Sequence, residues 1–245
     1  MVNDVVPEVP LLKRAKRVLP PSWGPLLLVL ACYGGMAIVL FTHSVLAAVN
    51  GELSLVDGDD ILTRLKWDTL VFDALDFGLV LIALAFAGRP RRHPAAWHRL
   101  GTWLCSVPGF AFFLGINLAY SLTLRELFRD YLPKDQELVT LGLDREAWWA
   151  IALICIQPAI VEELFFRYLL LGHLRSHMGL NGAVWVTAVL FGMAHLGNVG
   201  GWPVLILVGA GLGYARVLSG GMALPMLLHF FHNLAVLAVE SEMKP

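Results

Sequence analysis

Residues 158–167 read Pro-Ala-Ile-Val-Glu-Glu-Leu-Phe-Phe-Arg. This stretch lies inside an apolar run, 148–171, that is long enough to cross a bilayer as a helix. Charge is costly at membrane depth, so ionisable groups there point to a functional site. Glu163 and Arg167 are four residues apart on one helix face, which predicts an ion pair. Glu162 points about 100° away and has no partner on its own helix.

The composition of the whole chain is that of a polytopic membrane protein. Of its 245 residues, 58% are hydrophobic and 15% are charged, whereas soluble domains are about 45–50% apolar and about 25% charged. Cys32, Cys105 and Cys155 lie far apart in apolar runs, which indicates small membrane hydrophobes and neither disulfides nor a zinc site. We expect a lipid bilayer around the chain and no nucleic-acid partner. The oligomeric state is left open.

The apolar runs predict an all-α transmembrane bundle of about seven spans. The expected spans are 23–49, 69–87, 100–122, 148–171, 182–196, 202–218 and 222–239. Pro158 removes a backbone donor one turn before Glu162, so we expect a kink there. Asn181 has the residue type of an N-cap for the fifth span. In the sixth span, Gly209 and Gly213 have the spacing of small residues that allow close helix approach.

Two polar features accompany the early spans. Asp73 and Asp76 are three residues apart on one face, so we expect them to look into the bundle or into a polar vestibule. Residues 123–147 carry an amphipathic helical stripe, with Thr123 and Glu126 at capping-box spacing. This segment is interpreted either as an interfacial helix on the membrane or as an extension of the third span.

The distribution of charge predicts the orientation. The N-terminal tail, the loop 89–99, Arg175 and Arg216 fall on one side, and most exposed acids fall on the other. The positive-inside rule therefore places the N-terminus in the cytoplasm and the C-terminus outside the cell membrane. We divide this one integral membrane domain into an N-terminal part, 1–147, with three spans, and a core of four spans, 148–245.

Polar residues also recur in the late spans. His195 lies near the end of the fifth span, and His229 and Asn233 share one face of the seventh, with His232 beside them. A single membrane histidine is more often an interhelical hydrogen-bond partner than a catalyst. Together with Glu162, however, these positions form a polar set on three helices of the same half of the chain.

Three motifs follow one another between residues 148 and 235, namely Glu-Glu-x-x-x-Arg, Phe-x-x-x-His and His-x-x-x-Asn. This order resembles the type II CAAX prenyl endopeptidases and their bacterial relatives, the CPBP (Abi) intramembrane proteases. The resemblance implies an intramembrane endopeptidase that hydrolyses a peptide bond of a membrane-anchored protein or peptide. It implies CAAX-type processing or bacterial sorting and peptide processing, and it does not choose between them.

The resemblance also assigns roles by matching position. Glu162 resembles the catalytic glutamate, which activates a water together with His195. His229 and Asn233 resemble the groups that polarise the scissile carbonyl and stabilise its oxyanion. The remaining members are supporting residues: Glu163 and Arg167 as an ion pair, and His232 beside the site.

A zinc site is the alternative to a metal-free mechanism. Relatives are often labelled metalloproteases, and Glu162, His195 and His229 offer zinc-type ligands. No His-Glu-x-x-His pair is present, and an asparagine and an arginine are unusual neighbours for zinc. We therefore favour a mechanism without a cofactor.

Two questions stay open in the sequence. A non-proteolytic membrane scaffold or bacteriocin-immunity protein would keep the same polar cluster for packing or partner binding. A small-solute transporter is weaker, because no repeat and no paired interrupted helices are detectable. In addition, a rise of about 1.5 Å per residue puts Glu162 and His229 in the cytoplasmic half of the membrane, whereas His195 falls nearer the outer end of its helix.

Overall fold

The computed structural model describes residues 22–49, 58–90, 99–127 and 148–242, and the regular structure within these ranges is entirely helical. The first half contributes three long helices: α1, Trp23–Val49; α2, Gly58–Phe86; and α3, Arg99–Leu127. Each contains a stretch long and apolar enough to cross a membrane. The N-terminal tail and most of the loop 89–99 fall outside the described residues.

The second half opens with one helical run, 148–194, whose winding changes twice. Its parts are a π-helical segment, Ile151–Ile156; helix α4, Gln157–Glu163; a second π-helical segment, Leu164–Leu170; and helix α5, Leu171–Ala194. A 3₁₀ turn, Leu196–Gly201, leads to α6, Trp202–Ser219, and then to α7, Ala223–Glu242. π-Helical turns are frequent at functional sites, and here they flank the helix that carries both glutamates.

The run 148–194 folds back on itself at Gly179. A straight helix of its 47 residues would be about 70 Å long, more than twice the ~30 Å hydrocarbon core of a bilayer. Gly179 has a φ of 78°, a conformation that glycine adopts without steric cost. Arg167 and Phe191, at equal separations from Gly179, are in contact, with the guanidinium carbon 4.3 Å from the ring centroid. The two arms are therefore antiparallel.

This hairpin corrects the expected start of the fifth span. We predicted an N-cap at Asn181 followed by a helix from Gly182. The helical run instead continues through both residues, and its break lies at Gly179. Asn181 accepts a hydrogen bond from the Tyr214 hydroxyl at 3.2 Å through its side-chain oxygen, so it ties α5 to α6 and does not cap a helix.

The capping-box interpretation at Thr123 is also wrong. Helix α3 continues through this position to Leu127, and the Thr123 hydroxyl donates to the Ala119 carbonyl at 2.7 Å within the same helix. Residues 123–127 thus extend the third span. The remainder of the amphipathic segment, 128–147, lies outside the described residues.

Five helical stretches of the described chain are long and apolar enough to cross a membrane, and a shorter apolar helix, Ala223–Val239, follows them. The chain is therefore a multi-pass membrane protein. The prediction of about seven spans is reached only when the two arms of the run 148–194 are counted separately.

The largest apolar cluster joins the two halves of the chain. It contains Leu26 of α1, Val80 of α2 and Val184 of α5, all buried. The glycines of α6 let α5 approach closely, as their spacing predicted. A Cβ atom at Gly209 would lie 3.2 Å from the Ala188 Cα, and one at Gly213 would lie 3.1 Å from a Val184 methyl carbon.

Candidate active site

The charged centre of the bundle is built on Glu163, which is fully buried. Its Oε1 lies 2.9 Å from Nη1 of the buried Arg167, so the predicted i, i+4 ion pair is confirmed. The same oxygen accepts a hydrogen bond from Nδ1 of His229 on α7, also at 2.9 Å. Glu163 therefore holds two side chains in place, and its charge is compensated within the fold.

Arg167 is in turn held by three neighbours. Its Nη2 donates to the Gly209 carbonyl at 3.2 Å, and its guanidinium stacks over the rings of Phe166 and Phe191. A Cβ atom at Gly209 would lie 3.1 Å from the Phe191 ring. The ion pair thus links α4, the second π-helical segment and α6.

Glu162 lacks the close side-chain partners that Glu163 has. Its Oε2 is buried and has no hydrogen-bond partner in the described part of the chain. Nε2 of His229 lies 3.9 Å from this oxygen, which is beyond hydrogen-bond distance. Glu162 lines a cavity of about 110 Å³ together with Tyr33, Asp76 and Ala194, a volume that can hold water. A carboxylate with one unpartnered oxygen thus borders a small, mostly apolar cavity.

His195 comes directly after the last residue of α5. Its Nδ1 donates to the Phe191 carbonyl at 2.9 Å, and its own carbonyl accepts a hydrogen bond from the Trp202 indole at 3.0 Å. The Phe191 ring lies between the two histidines, with centroid distances of 5.0 Å to His195 and 5.7 Å to His229.

The hairpin accounts for the apparent difference in depth between His195 and Glu162. Phe191 meets Arg167 across the two arms. One further turn along each arm then brings His195 to the level of Glu163. The fifth span is short because it returns only as far as the glutamate pair.

Asn233 and His232, the other two predicted site residues on α7, form hydrogen bonds with residues of other helices. The Asn233 amide donates to the Ile154 carbonyl at 3.0 Å. In a regular α-helix this carbonyl would accept from residue 158, and Pro158 has no N–H to donate. His232 is buried and accepts a hydrogen bond at 2.9 Å from the amide of Asn117 on α3. The polar residues of α7 thus anchor this helix to two others.

Asp76 of α2 is a site residue that the sequence analysis did not assign. It lines the same cavity as Glu162. Its neighbour Asp73 accepts a hydrogen bond at 3.3 Å from the Gln157 side chain through its backbone carbonyl, which fixes α2 against α4. The sequence signal was the presence of two carboxylates, Asp73 and Asp76, in an apolar span. It predicted that they face the bundle or a polar vestibule, but it did not predict that Asp76 would lie beside Glu162.

A metal site at these positions does not fit the geometry well. Among the described residues, no group of three histidine, cysteine, aspartate or glutamate side chains is placed to share an ion. Glu162, His195 and His229 therefore do not form a ready zinc shell. His229 and His195 each use Nδ1 in a hydrogen bond, which leaves only their Nε2 atoms for a ligand.

Comparison with known proteins gives one result. Residues 144–235 match the family model described as type II CAAX prenyl endopeptidase, Rce1-like. No curated protein and no solved structure matches the chain. The matched segment contains the two glutamates, Arg167 and all three histidines described above. Residues 144–235, which are less than half of the chain, are therefore similar to the Rce1-like type II CAAX prenyl endopeptidases.

Proposed function

We propose that this protein is an intramembrane endopeptidase that cleaves a membrane-anchored protein or peptide with a water activated by Glu162. Similarity to this family implies protease activity. The observation that supports this assignment most strongly is the contrast between the adjacent glutamates. Glu163 is held through its Oε1 by Arg167 and His229, whereas Glu162 has no partner within hydrogen-bond distance at its buried Oε2 in the described part of the chain, and its side chain borders a cavity.

In the proposed reaction, Glu162 takes a proton from a water molecule whose oxygen attacks the scissile carbonyl carbon. The tetrahedral intermediate carries the negative charge on the former carbonyl oxygen. The C–N bond then breaks, and the proton held by Glu162 passes to the leaving nitrogen. No covalent bond forms between enzyme and substrate, and one water is consumed for each peptide bond. A positioned general base of this kind contributes about 10²–10⁴ in rate.

We assign the stabilisation of the oxyanion to His229 and Asn233. Glu163 fixes the His229 ring through Nδ1, so Nε2 is directed toward Glu162. Because Nδ1 donates to Glu163, His229 can donate to the oxyanion through Nε2 only when both ring nitrogens carry a proton. Asn233 has a second amide hydrogen besides the one that meets Ile154. Donors aimed at a developing oxyanion are worth about 10²–10³ in rate.

His195 is assigned to orient the attacking water together with Glu162. The hydrogen bond from its Nδ1 to the Phe191 carbonyl leaves Nε2 as an acceptor for a water proton. We place the cavity in the cytoplasmic half of a seven-span bundle whose N-terminus is cytoplasmic.

The proposal is tested on the membrane proteome of cells that lack the protein. Such cells are complemented with the wild-type chain, with Glu162→Gln or with an empty vector, and the termini of membrane-anchored polypeptides are compared. We expect uncleaved polypeptides that disappear with the wild-type chain and persist with Glu162→Gln. A scaffold or immunity protein would instead restore the wild-type pattern with either chain.

A further inference from the structure

A second cavity, of about 380 Å³, has Arg167 in its wall. Its wall carries three further arginines, Arg89, Arg175 and Arg216, and contains no aspartate or glutamate. In the described part of the chain none of these three guanidiniums forms an ion pair, and Nε of Arg216 is buried without a hydrogen-bond partner. Arg175 is close enough to Arg216 for their charges to repel.

This arrangement is built by the fold and is not a chance grouping of surface side chains. Arg89 follows the end of α2, where Gly88 turns the chain with a φ of 71°. Pro90 then packs against Gly172, at which a Cβ atom would clash with the proline ring. Arg216 lies in the last turn of α6, which ends at the left-handed Gly220. Two glycine turns and one close contact thus direct the arginines into one cavity.

The position of the cavity indicates the kind of anion it would meet. It lies where α2 and α6 end and near the apex of the hairpin at Gly179, which is the level of lipid headgroups in a multi-pass protein. Leu171 and Val217 add apolar wall beside the guanidiniums. Basic pockets between transmembrane helices on the cytoplasmic side are suited to anionic headgroups. Arginine in particular binds phosphate through two parallel hydrogen bonds.

We propose that the cavity lined by Arg89, Arg175 and Arg216 binds the phosphate of an anionic phospholipid headgroup. The headgroup supplies the negative charge that the described residues lining the cavity do not provide. Because Arg167 lines the cavity and also pairs with Glu163, an occupied site stabilises the arginine on which the glutamate pair depends. The inference concerns binding and does not rest on the proposed proteolysis.

The test measures lipid binding to the full-length chain in detergent by native mass spectrometry. Dioleoylphosphatidylglycerol is titrated against dioleoylphosphatidylcholine, which carries the same acyl chains and no net charge. We expect the wild-type chain to bind the anionic lipid at least about tenfold more tightly. Arg175→Gln and Arg216→Gln should each weaken that binding about fivefold, since a basic residue near the membrane surface contributes ~1 kcal/mol.

Arg125→Gln is the matched control. It removes a charge in the last turn of α3, outside the cavity wall, and should bind the anionic lipid like the wild type. Arg89→Gln is the third cavity variant, and its exposed side chain can be replaced without disturbing packing. Equal binding of the two lipids, or unchanged binding in all three cavity variants, would overturn the proposal.

Two competitors separate a lipid headgroup from other anions. Inorganic phosphate in large excess should not displace the anionic lipid; displacement would indicate a site for free phosphate. A short peptide with a free C-terminal carboxylate should compete no better than its C-terminal amide. Preferential competition by the carboxylate would assign the cavity to the tail of a polypeptide and would contradict the lipid assignment.

Discussion

Glu162 and Glu163 are the same chemical group one residue apart, and helical geometry gives them different surroundings. The side chain of Glu163 points along the face that carries Arg167 and meets His229 across the bundle. The side chain of Glu162 points toward α1 and α2 and borders a cavity. Removal of one member of a buried ion pair leaves an uncompensated charge, which costs about 3–5 kcal/mol.

Glu163→Gln should therefore reduce stability as well as activity. The substitution leaves Arg167 charged in a buried position and also removes the carboxylate that fixes His229. We expect the free energy of unfolding, measured in detergent, to fall by about 3–5 kcal/mol. Asp68→Asn, at a half-exposed carboxylate of α2, is the control and should change it by less than about 0.5 kcal/mol. An unfolding curve of Glu163→Gln that matches the wild type would contradict the structural role of this pair.

The metal-free mechanism is tested by the composition of the active enzyme. Elemental analysis of extensively dialysed, active protein should find no stoichiometric zinc, because Glu162, His195 and His229 do not converge as a ligand set. His195→Ala is the matched variant. One zinc per chain that is lost in His195→Ala together with activity would establish the zinc alternative.

Residue-level prediction from the sequence succeeded where the partners were local. The Glu163–Arg167 pair was predictable because i, i+4 spacing alone brings the two side chains together. The hydrogen bond from His229 to Glu163 was not, because it joins residues that are distant in sequence and depends on how α7 packs. For the same reason the contacts of Asn233 with Ile154 and of His232 with Asn117 could not be predicted.

At the scale of the elements, the hairpin of the run 148–194 and its contact with α6 set the geometry of the site. Hydropathy was enough to predict the ends of α1 and α6 nearly to the residue. A long apolar run in a membrane forms a helix, because its backbone groups must be hydrogen-bonded within the segment. It did not predict the turn at Gly179, because the polar residues Arg175, Ser176 and His177 suggested a loop before a new helix. The chain instead turns at a single glycine, which a hydropathy pattern does not distinguish from other glycines.

Gly209→Val tests the close packing of α6 against this hairpin. The added side chain would meet the Ala188 backbone and the Phe191 ring, so α6 must move away and weaken the hydrogen bond from Arg167 to the Gly209 carbonyl. Overpacking of this kind costs about 1–3 kcal/mol, and we expect the thermal midpoint in detergent to fall. Gly115→Val on α3, where nothing lies within 4 Å of an added Cβ, is the control. Equal midpoints for the two variants would contradict the described packing.

At the scale of the whole molecule, the family match covers only the second half of the chain, whereas the candidate site includes residues of both halves. The matched residues, 144–235, do not include the first three helices, yet α2 supplies Asp76 to the cavity of Glu162 and α3 supplies Asn117 to His232. The first half therefore completes the site. Its orientation in the membrane determines the side on which a substrate tail could reach Glu162.

The predicted topology places the loop 89–99 in the cytoplasm and residues 123–147 outside. Single cysteines are introduced by Arg92→Cys and Asp135→Cys in a chain that lacks Cys32, Cys105 and Cys155. With an impermeant thiol reagent on intact cells, we expect labelling at position 135 and none at 92 until the membrane is opened. The reverse pattern would invert the topology and move the arginine cavity to the outer face.

The central claim is that Glu162 is the general base, and the most direct test is the cleavage rate of purified Glu162→Gln. Glutamine keeps the volume and shape of the side chain but accepts protons poorly. We expect a folded protein with a wild-type thermal midpoint and a cleavage rate lower by at least about 10²–10⁴. Asp68→Asn should cleave at the wild-type rate. A normally folded Glu162→Gln chain that cleaves its substrate as fast as the wild type would contradict the account.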